Sequence, residues 1–528
     1  MLSCDAVYAE SSGVPDDNTL ESNRATIGKI TIVAGDVFDL SNPKENKTLF
    51  RLADKIHVNT REYVIRGQLL FNPGDPYNPE LLKESERILR GDEYIYDALI
   101  QPVAYHNNQV DIEVQTRDSW TLTGLVDYSR KGGQPYYSFE FNEKNLLGFG
   151  KELTISRTIN ELRTQNLFKY HDPLIRPYWL VMDITYSNNS DGREKAFSLQ
   201  RPFFALNSHW SYGINTRNIT STERLYKDGD TVDYFKQKDQ EYNIFGGYSR
   251  GLIRQHVARL TVGYSFLKNH FSPLSNTLDP ALLPQNRTLS YPWIGFQWLV
   301  NNYIKTRRVN HIQRTEDINL GADVNLKLGW ASSAWGADRN LLIYTGSASA
   351  GLRPQDSQLI LMSLSNSGRF TTDKTENLVL SGDTRYFLTR SRHQVFYSDL
   401  QLTAGYNLDR ENQLVLDGIN GLRGYPQNFL TGNRKFLLTL EQRYYTDRNL
   451  LQLFYVGGAV YFDAGSAWYV GTDLHSKFKV YKDIGLGLRI SSSRTSSAQV
   501  MHLDIAFPLD NNVHTNRVQI IFNAETSF

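Results

Sequence analysis

Gly421-Leu422-Arg423-Gly424-Tyr425-Pro426 stands between two runs of alternating apolar and polar residues, in a segment too long for a tight hairpin turn. Glycine admits positive φ and close backbone approach, and proline fixes φ and stops the turn from continuing as a strand. The stretch therefore reads as a shaped loop tip that presents one cation. Downstream, Lys435 to Tyr445 reads as a strand, with Phe436, Leu438, Leu440 and Tyr444 on one face and Leu437, Thr439, Glu441 and Arg443 on the other. Leu453 to Tyr469 repeats the pattern, with Val456, Val460, Phe462 and Trp468 opposite Tyr461, Asp463 and Gly465. Side chains alternate across a strand, so Glu441 and Asp463 both fall on the polar side. A loop folded inward brings Arg423 to both, and a guanidinium between two carboxylates is a strong directional latch.

The combination resembles the outer-membrane assembly and translocation superfamily of the BamA, TamA and two-partner-secretion type. In that family an arginine loop of (V/L)RG(F/Y) form enters the barrel and pairs with acids on the next two strands. The second acid lies in an aromatic-x-Asp-x-Gly motif, here Tyr461-Phe462-Asp463-Ala464-Gly465. The resemblance is strongest from Gly421 to Phe528. It implies a bacterial-surface-antigen barrel in the outer membrane, preceded by a periplasmic POTRA domain. It implies a latch made of Gly421, Leu422, Arg423, Gly424, Tyr425, Glu441, Asp463 and Gly465.

Composition is consistent with this. The 528 residues suffice for one large and one small domain. Lys+Arg is 57 and Asp+Glu 56, so no basic field for nucleic acid exists. Tyrosine (31) and phenylalanine (26) are plentiful, and one cysteine forbids an internal disulfide. No run of 18 apolar residues occurs, so no spanning helix is expected; barrel strands average out to soluble-looking hydropathy. No signal peptide is visible, which an exported barrel needs, so it was removed or the gene start is miscalled. Leu2-Ser3-Cys4 has the form of a lipoprotein signal end, with Cys4 lipidated; an accident of the chain's start is the competing reading.

In chain order, residues 1–24 read as a flexible leader. Ile27 to Ala34 is a short alternating strand, and 35–60 an irregular insertion with one helical turn near Leu49 to Ala53. Arg61 to Phe71 has helical spacing. Asn78 as N-cap and Pro79 at the first position start a helix that runs to Arg90. Glu93 to Val103 and Val110 to Thr116 are strands joined at His106-Asn107-Asn108. The order β-α-α-β-β, with LLFNPGDPYNPELLKESERILR as connector and helix, resembles POTRA over 25–117. The open edges of such a sheet accept an extended client strand.

From Ser119 amphipathic strands follow one another, among them Tyr136 to Phe141, Lys151 to Ile159, Trp179 to Tyr186, Ala258 to Phe266 and Phe396 to Tyr406. Period two over so many segments argues a closed antiparallel barrel over 119–528. Asn145 to Gly150, Asp172 to Leu174 and Arg201 to Phe204 read as short periplasmic turns, and Thr220 to Gln240 and Lys268 to Arg287 as longer outer loops. The resemblance implies 16 transmembrane strands, about 26 residues each; a count of patterns reaches 20. The last strand alternates Val518, Ile520 and Phe522 against Gln519 and Asn523 and stops on Phe528, resembling the C-terminal assembly signal of outer-membrane barrels.

No Walker loop, HExxH or Gly-x-Ser-x-Gly is present, so no catalytic residue, metal ligand or cofactor is assigned and no enzyme activity is expected. The paired acids suit ion pairing with Arg423 better than acid–base chemistry. The expected function is an insertase or secretion role on client polypeptides, with outer-membrane lipids and accessory periplasmic proteins as further partners. The alternative is an outer-membrane diffusion channel or structural barrel without a client.

Overall fold

The computed structural model describes residues 13–131, 133–160, 162–227, 229–274, 283–471, 478–495, 500–510 and 516–525. They divide into two compact units. The first comprises the described residues of 13–123, 142–152 and 493–495. It contains α1 (Asp17–Ser22), β1 (Thr26–Gly35), α2 (Thr48–Ile56), α3 (Glu62–Arg66), α4 (Pro79–Gly91), β2 (Ile95–His106) and β3 (Gln109–Asp118). The sheet order is β1-β3-β2, with β1 parallel and β2 antiparallel to β3, so β1 and β2 are the edges. The β2–β3 turn uses Asn107 and Asn108 at positive φ, which asparagine tolerates. Asn78 accepts a hydrogen bond from the Glu80 N–H (2.9 Å) and starts α4, which buries Leu82 and Leu89. These join Leu20, Ile27, Ile65, Ile95 and Ile112 in one core.

Three local expectations change here. The described part of the expected leader, residues 13–24, is folded: Asp16 caps α1, which puts Leu20 into this core. The helical spacing over 61–71 yields only the five residues of α3, because Leu69 and Phe71 enter the core from non-helical chain before Pro73. The single turn near Leu49 is the nine-residue α2.

The second unit is mainly β. Its centre is a sheet of 20 strands, from Leu122–Lys131 to Gln519–Glu525, each antiparallel to its neighbours wherever the register is described. The expected 16 is therefore corrected to 20. The smaller number came from the resemblance; the count of alternating patterns reaches 20, and brief connections between most of these strands leave the chain room for that many. The last strand meets the first through one Cα partner pair, Phe522 opposite Arg130. Leu260, Val262, Ile294, Phe296, Leu402, Leu486, Leu503 and Ile505 make one face apolar and exposed. Polar residues, Glu441, Asp463 and Asp504 among them, take the other face, as period two requires.

Two further corrections concern connections. Thr220 to Gln240 is not a loop. Trp210–Lys227 and Asp230–Ile253 stay in register almost to the turn, Lys227 opposite Asp230. Asp172 to Leu174 is a register shift inside the strand Thr164–Ile175, and the chain reverses at 176–179. Asn145 to Gly150 is a 3-10 turn, and a connection follows the strand that ends at Arg201. Lys268 to Arg287 holds the end of His256–Pro273 and the first residue of Arg287–Val300; residues 275–282 lie outside the described residues.

Two insertions leave the sheet from opposite ends. Residues 407–433, after the strand Gln394–Tyr406, contain a small ribbon, Leu414–Leu416 with Leu430–Gly432. Residues 301–322 contain another, Tyr303–Thr306 with Glu316–Asn319. The tip of this second ribbon packs Val309 and Ile312 against Leu359, Phe387, Val395, Tyr445 and Val500, on the polar face of strands distant in sequence. Glu316 holds the tip by accepting from the N–H groups of Val309 (3.0 Å) and Asn310 (3.0 Å).

Candidate functional site

The 407–433 insertion is shaped before it reaches the wall. Asp417 accepts from the N–H groups of Ile419 (2.9 Å), Asn420 (2.9 Å) and Asn428 (2.6 Å), tying both arms of the loop to one buried carboxylate. Leu422 donates its N–H to the Asp417 carbonyl and Tyr425 to that of Leu422. Leu416, Leu422, Tyr425 and Phe429 form an apolar cluster with Leu437 and Ala467 of the wall. Phe429 stacks on Tyr425 (4.7 Å between ring centres), and Tyr481 meets both edge-on.

The glycines have identifiable work. Gly421 takes φ +110°. A Cβ on Gly424 would lie 2.6 Å from Asp483 Cβ, and one on Gly465 would lie 2.7 Å from Leu416 Cδ2. Gly465 is thus the gap in the wall that admits Leu416.

Arg423 projects from this tip. Its Nε donates to Asp463 Oδ2 (2.7 Å), Nη2 to Asp463 Oδ1 (3.0 Å) and Nη1 to Glu441 Oε1 (2.8 Å). The guanidinium carbon lies 3.3 Å from the centre of the Tyr461 ring. Burial alone would lower the Arg423 pKa; the Asp463 and Glu441 charges more than reverse that and hold it well above its ordinary value. The acids are themselves shared. Glu441 also accepts from Arg443 Nε (2.9 Å), and Asp463 from the Thr439 hydroxyl (2.9 Å).

Two contacts were not read from the sequence. Asp483, directly opposite Asp463 in register, accepts the Gly424 N–H (3.0 Å), and the Tyr425 hydroxyl donates to Asp510 (3.0 Å). The loop's root is clamped as well. Arg369 Nη2 donates to both oxygens of Asp409 (2.6 and 2.8 Å), and Arg287 pairs with Glu411. Gln413 exchanges hydrogen bonds with the backbone of Tyr226 (2.9 and 3.0 Å). Further along the wall Arg489 pairs with Asp504, both buried. Asp409-Arg410-Glu411 ahead of the motif was the available signal, but its partners lie up to 124 residues away.

Of the eight proposed latch residues, Glu441 and Asp463 meet the Arg423 guanidinium; Leu422 and Tyr425 sit in the apolar cluster of the loop, Gly424 lies against Asp483, and Gly421 and Gly465 lie against Leu437 and Leu416. The C-terminal set does not join them. Val518 and Ile520 are exposed on the apolar face, Phe522 stands opposite Leu503 and Arg130, and Phe528 lies outside the described residues. Cys4 is also outside them. The arrangement holds one cation between two buried carboxylates.

No protein-family model matches the chain. No curated protein matches it either. Solved structures do. BamA from Haemophilus ducreyi lacking POTRA domains 1-3 aligns with 94% of this chain and 84% of that one, at 12% identity and a TM-score of 0.40. CdiB from Acinetobacter baumannii aligns over 95% and 74% (12% identity, TM-score 0.47). CdiB from Escherichia coli aligns over 94% and 76% (12%, 0.46).

Proposed function

We propose that the chain is an integral outer-membrane protein that assembles or translocates client polypeptides. In this reading the 20-stranded sheet closes as a transmembrane barrel, its apolar face toward lipid, and the first unit is a POTRA-like periplasmic module. The observation that carries it is Arg423, lodged between Glu441 and Asp463 on the polar face of the sheet. A passive pore has no evident use for a folded loop clamped to its wall at root and tip. A machine whose wall must open and reclose does gain, because the latch returns the wall to one geometry. The seam is the first-to-last strand junction, described by the single pair Phe522 and Arg130. A client strand would pair with edge strands there and at β1 or β2. The proposal includes no catalytic step and no cofactor.

The test places cysteines at Arg130 and Phe522 in a Cys4→Ser background. Oxidation should lock the seam and abolish client insertion into proteoliposomes, and reduction should restore it. Full activity with the seam locked would refute seam opening.

A further inference from the structure

Helix α2 turns its large aliphatic side chains outward. Leu49, Leu52 and Ile56 are 65, 54 and 57% exposed, and their spacing of three and four puts them on one face. The helix is held to its own unit by another side chain, Phe50, which is buried and stacked on Phe38 (4.5 Å). Val58 continues the exposed apolar strip just past the helix. Arg51 and Lys55 border the strip, with Lys44 and Lys47 ahead of it, all exposed. The acids of this stretch turn the other way. Glu45 pairs with Arg494 (2.8 Å), and both carboxylate oxygens of Asp54 are shielded from solvent. Outward aliphatics bordered by cations, with acids withdrawn, is the pattern of a helix that lies in a membrane interface. The stems of Arg51 and Lys55 are long enough to keep their charges among headgroups while the aliphatics enter the acyl region.

We propose that α2 is a lipid-binding surface, seated flat on an anionic bilayer surface through Leu49, Leu52 and Ile56, with Arg51 and Lys55 on lipid phosphates. This rests on the membrane reading of the sheet but on no client. The withdrawn acids and exposed cations favour an anionic bilayer over a second protein as occupant.

The full chain, Cys4→Ser, is reconstituted in nanodiscs carrying a nitroxide-labelled lipid. An environment-sensitive fluorophore is placed at Leu52→Cys, at Gln115→Cys (exposed on β3) or at Leu402→Cys (exposed on the apolar face). Quenching at Leu52 should exceed that at Gln115 about threefold in anionic lipid, and Arg51→Glu with Lys55→Glu should remove most of the excess. Equal quenching at 52 and 115, with Leu402 quenched, overturns the proposal alone. No quenching at Leu402 overturns the membrane reading beneath it. Shielding at Leu52 that appears only when a second protein is added also overturns it, by assigning the face to that protein.

Discussion

Two stretches of the same sheet carry opposite kinds of side chain on its polar face. On the strands from Arg434 to Pro508, Glu441, Arg443, Asp463, Asp483, Arg489 and Asp504 are charged and buried. On the strands Leu341–Leu352 and Gln358–Phe370, Thr345, Ser347, Ser349, Ser363 and Ser365 are small, uncharged and exposed. Water can satisfy the hydroxyl wall. The charged wall must be satisfied by protein, and the loop brings the Arg423 side chain and the Gly424 N–H to it. One wall is therefore a binding surface for part of its own chain, and the other is left free.

Removing Arg423 breaks that contrast most severely. Among the described residues, Arg423→Ala leaves Asp463 with the Thr439 hydroxyl beside the facing Asp483, while Glu441 keeps Arg443. Stranding a buried charge costs about 3–5 kcal/mol, an upper bound where water can enter. The loop should become sensitive to protease and the thermal unfolding midpoint should fall, with the sheet still folded. Arg423→Lys should recover only part, since an ammonium cannot fork across two carboxylates. An Arg423→Ala protein with an intact, protease-resistant loop would show that the apolar cluster alone seats it.

The charged wall was legible because period two fixes the side of Glu441 and Asp463 once the strands are recognised. The loop tip was legible from two glycines and a proline around one cation. Asp483 escaped because its role needs the register of a third strand, which alternation alone does not fix. The Arg369–Asp409 and Arg287–Glu411 clamps escaped because nothing local in sequence pairs residues so far apart. The 301–322 ribbon has no sustained period, and its apolar pair, Val309 and Ile312, finds a core only among strands gathered from the whole sheet. The strand number failed where it was borrowed from the resemblance rather than counted.

That ribbon sharpens the comparison at the other end of the strands. Ile312 is fully buried, so Ile312→Ala should cost about 2 kcal/mol, the low end for such truncations because the tip can undock instead. Single-channel recordings should then show more frequent open events than the parent protein. An unchanged record would mean that the ribbon does not obstruct the interior.

Gly424→Ala tests the fit of the loop without touching a charge. The added methyl would meet Asp483 Cβ at 2.6 Å and the Pro508 nitrogen at 3.1 Å, so loop or strand must move. Overpacking of this kind costs about 1–2 kcal/mol. The Gly424 N–H bond to Asp483 should lengthen with it, seen as faster amide exchange at that position.

The smallest effect is expected on the free wall. Ser347 and Ser365 stand opposite each other on adjacent strands, both exposed on the polar face. An exposed hydroxyl exchanges its hydrogen bonds with water, so Ser347→Ala and Ser365→Ala should each change stability by less than about 0.5 kcal/mol in thermal unfolding. Ser347→Asp carries the test further, because a charge added where water reaches needs no protein partner and should be tolerated almost as well. If Ser347→Asp costs as much as Arg423→Ala, the hydroxyl wall is not wet. The loop would then have no special claim on the charged side, and the contrast between the two walls would be one of composition only.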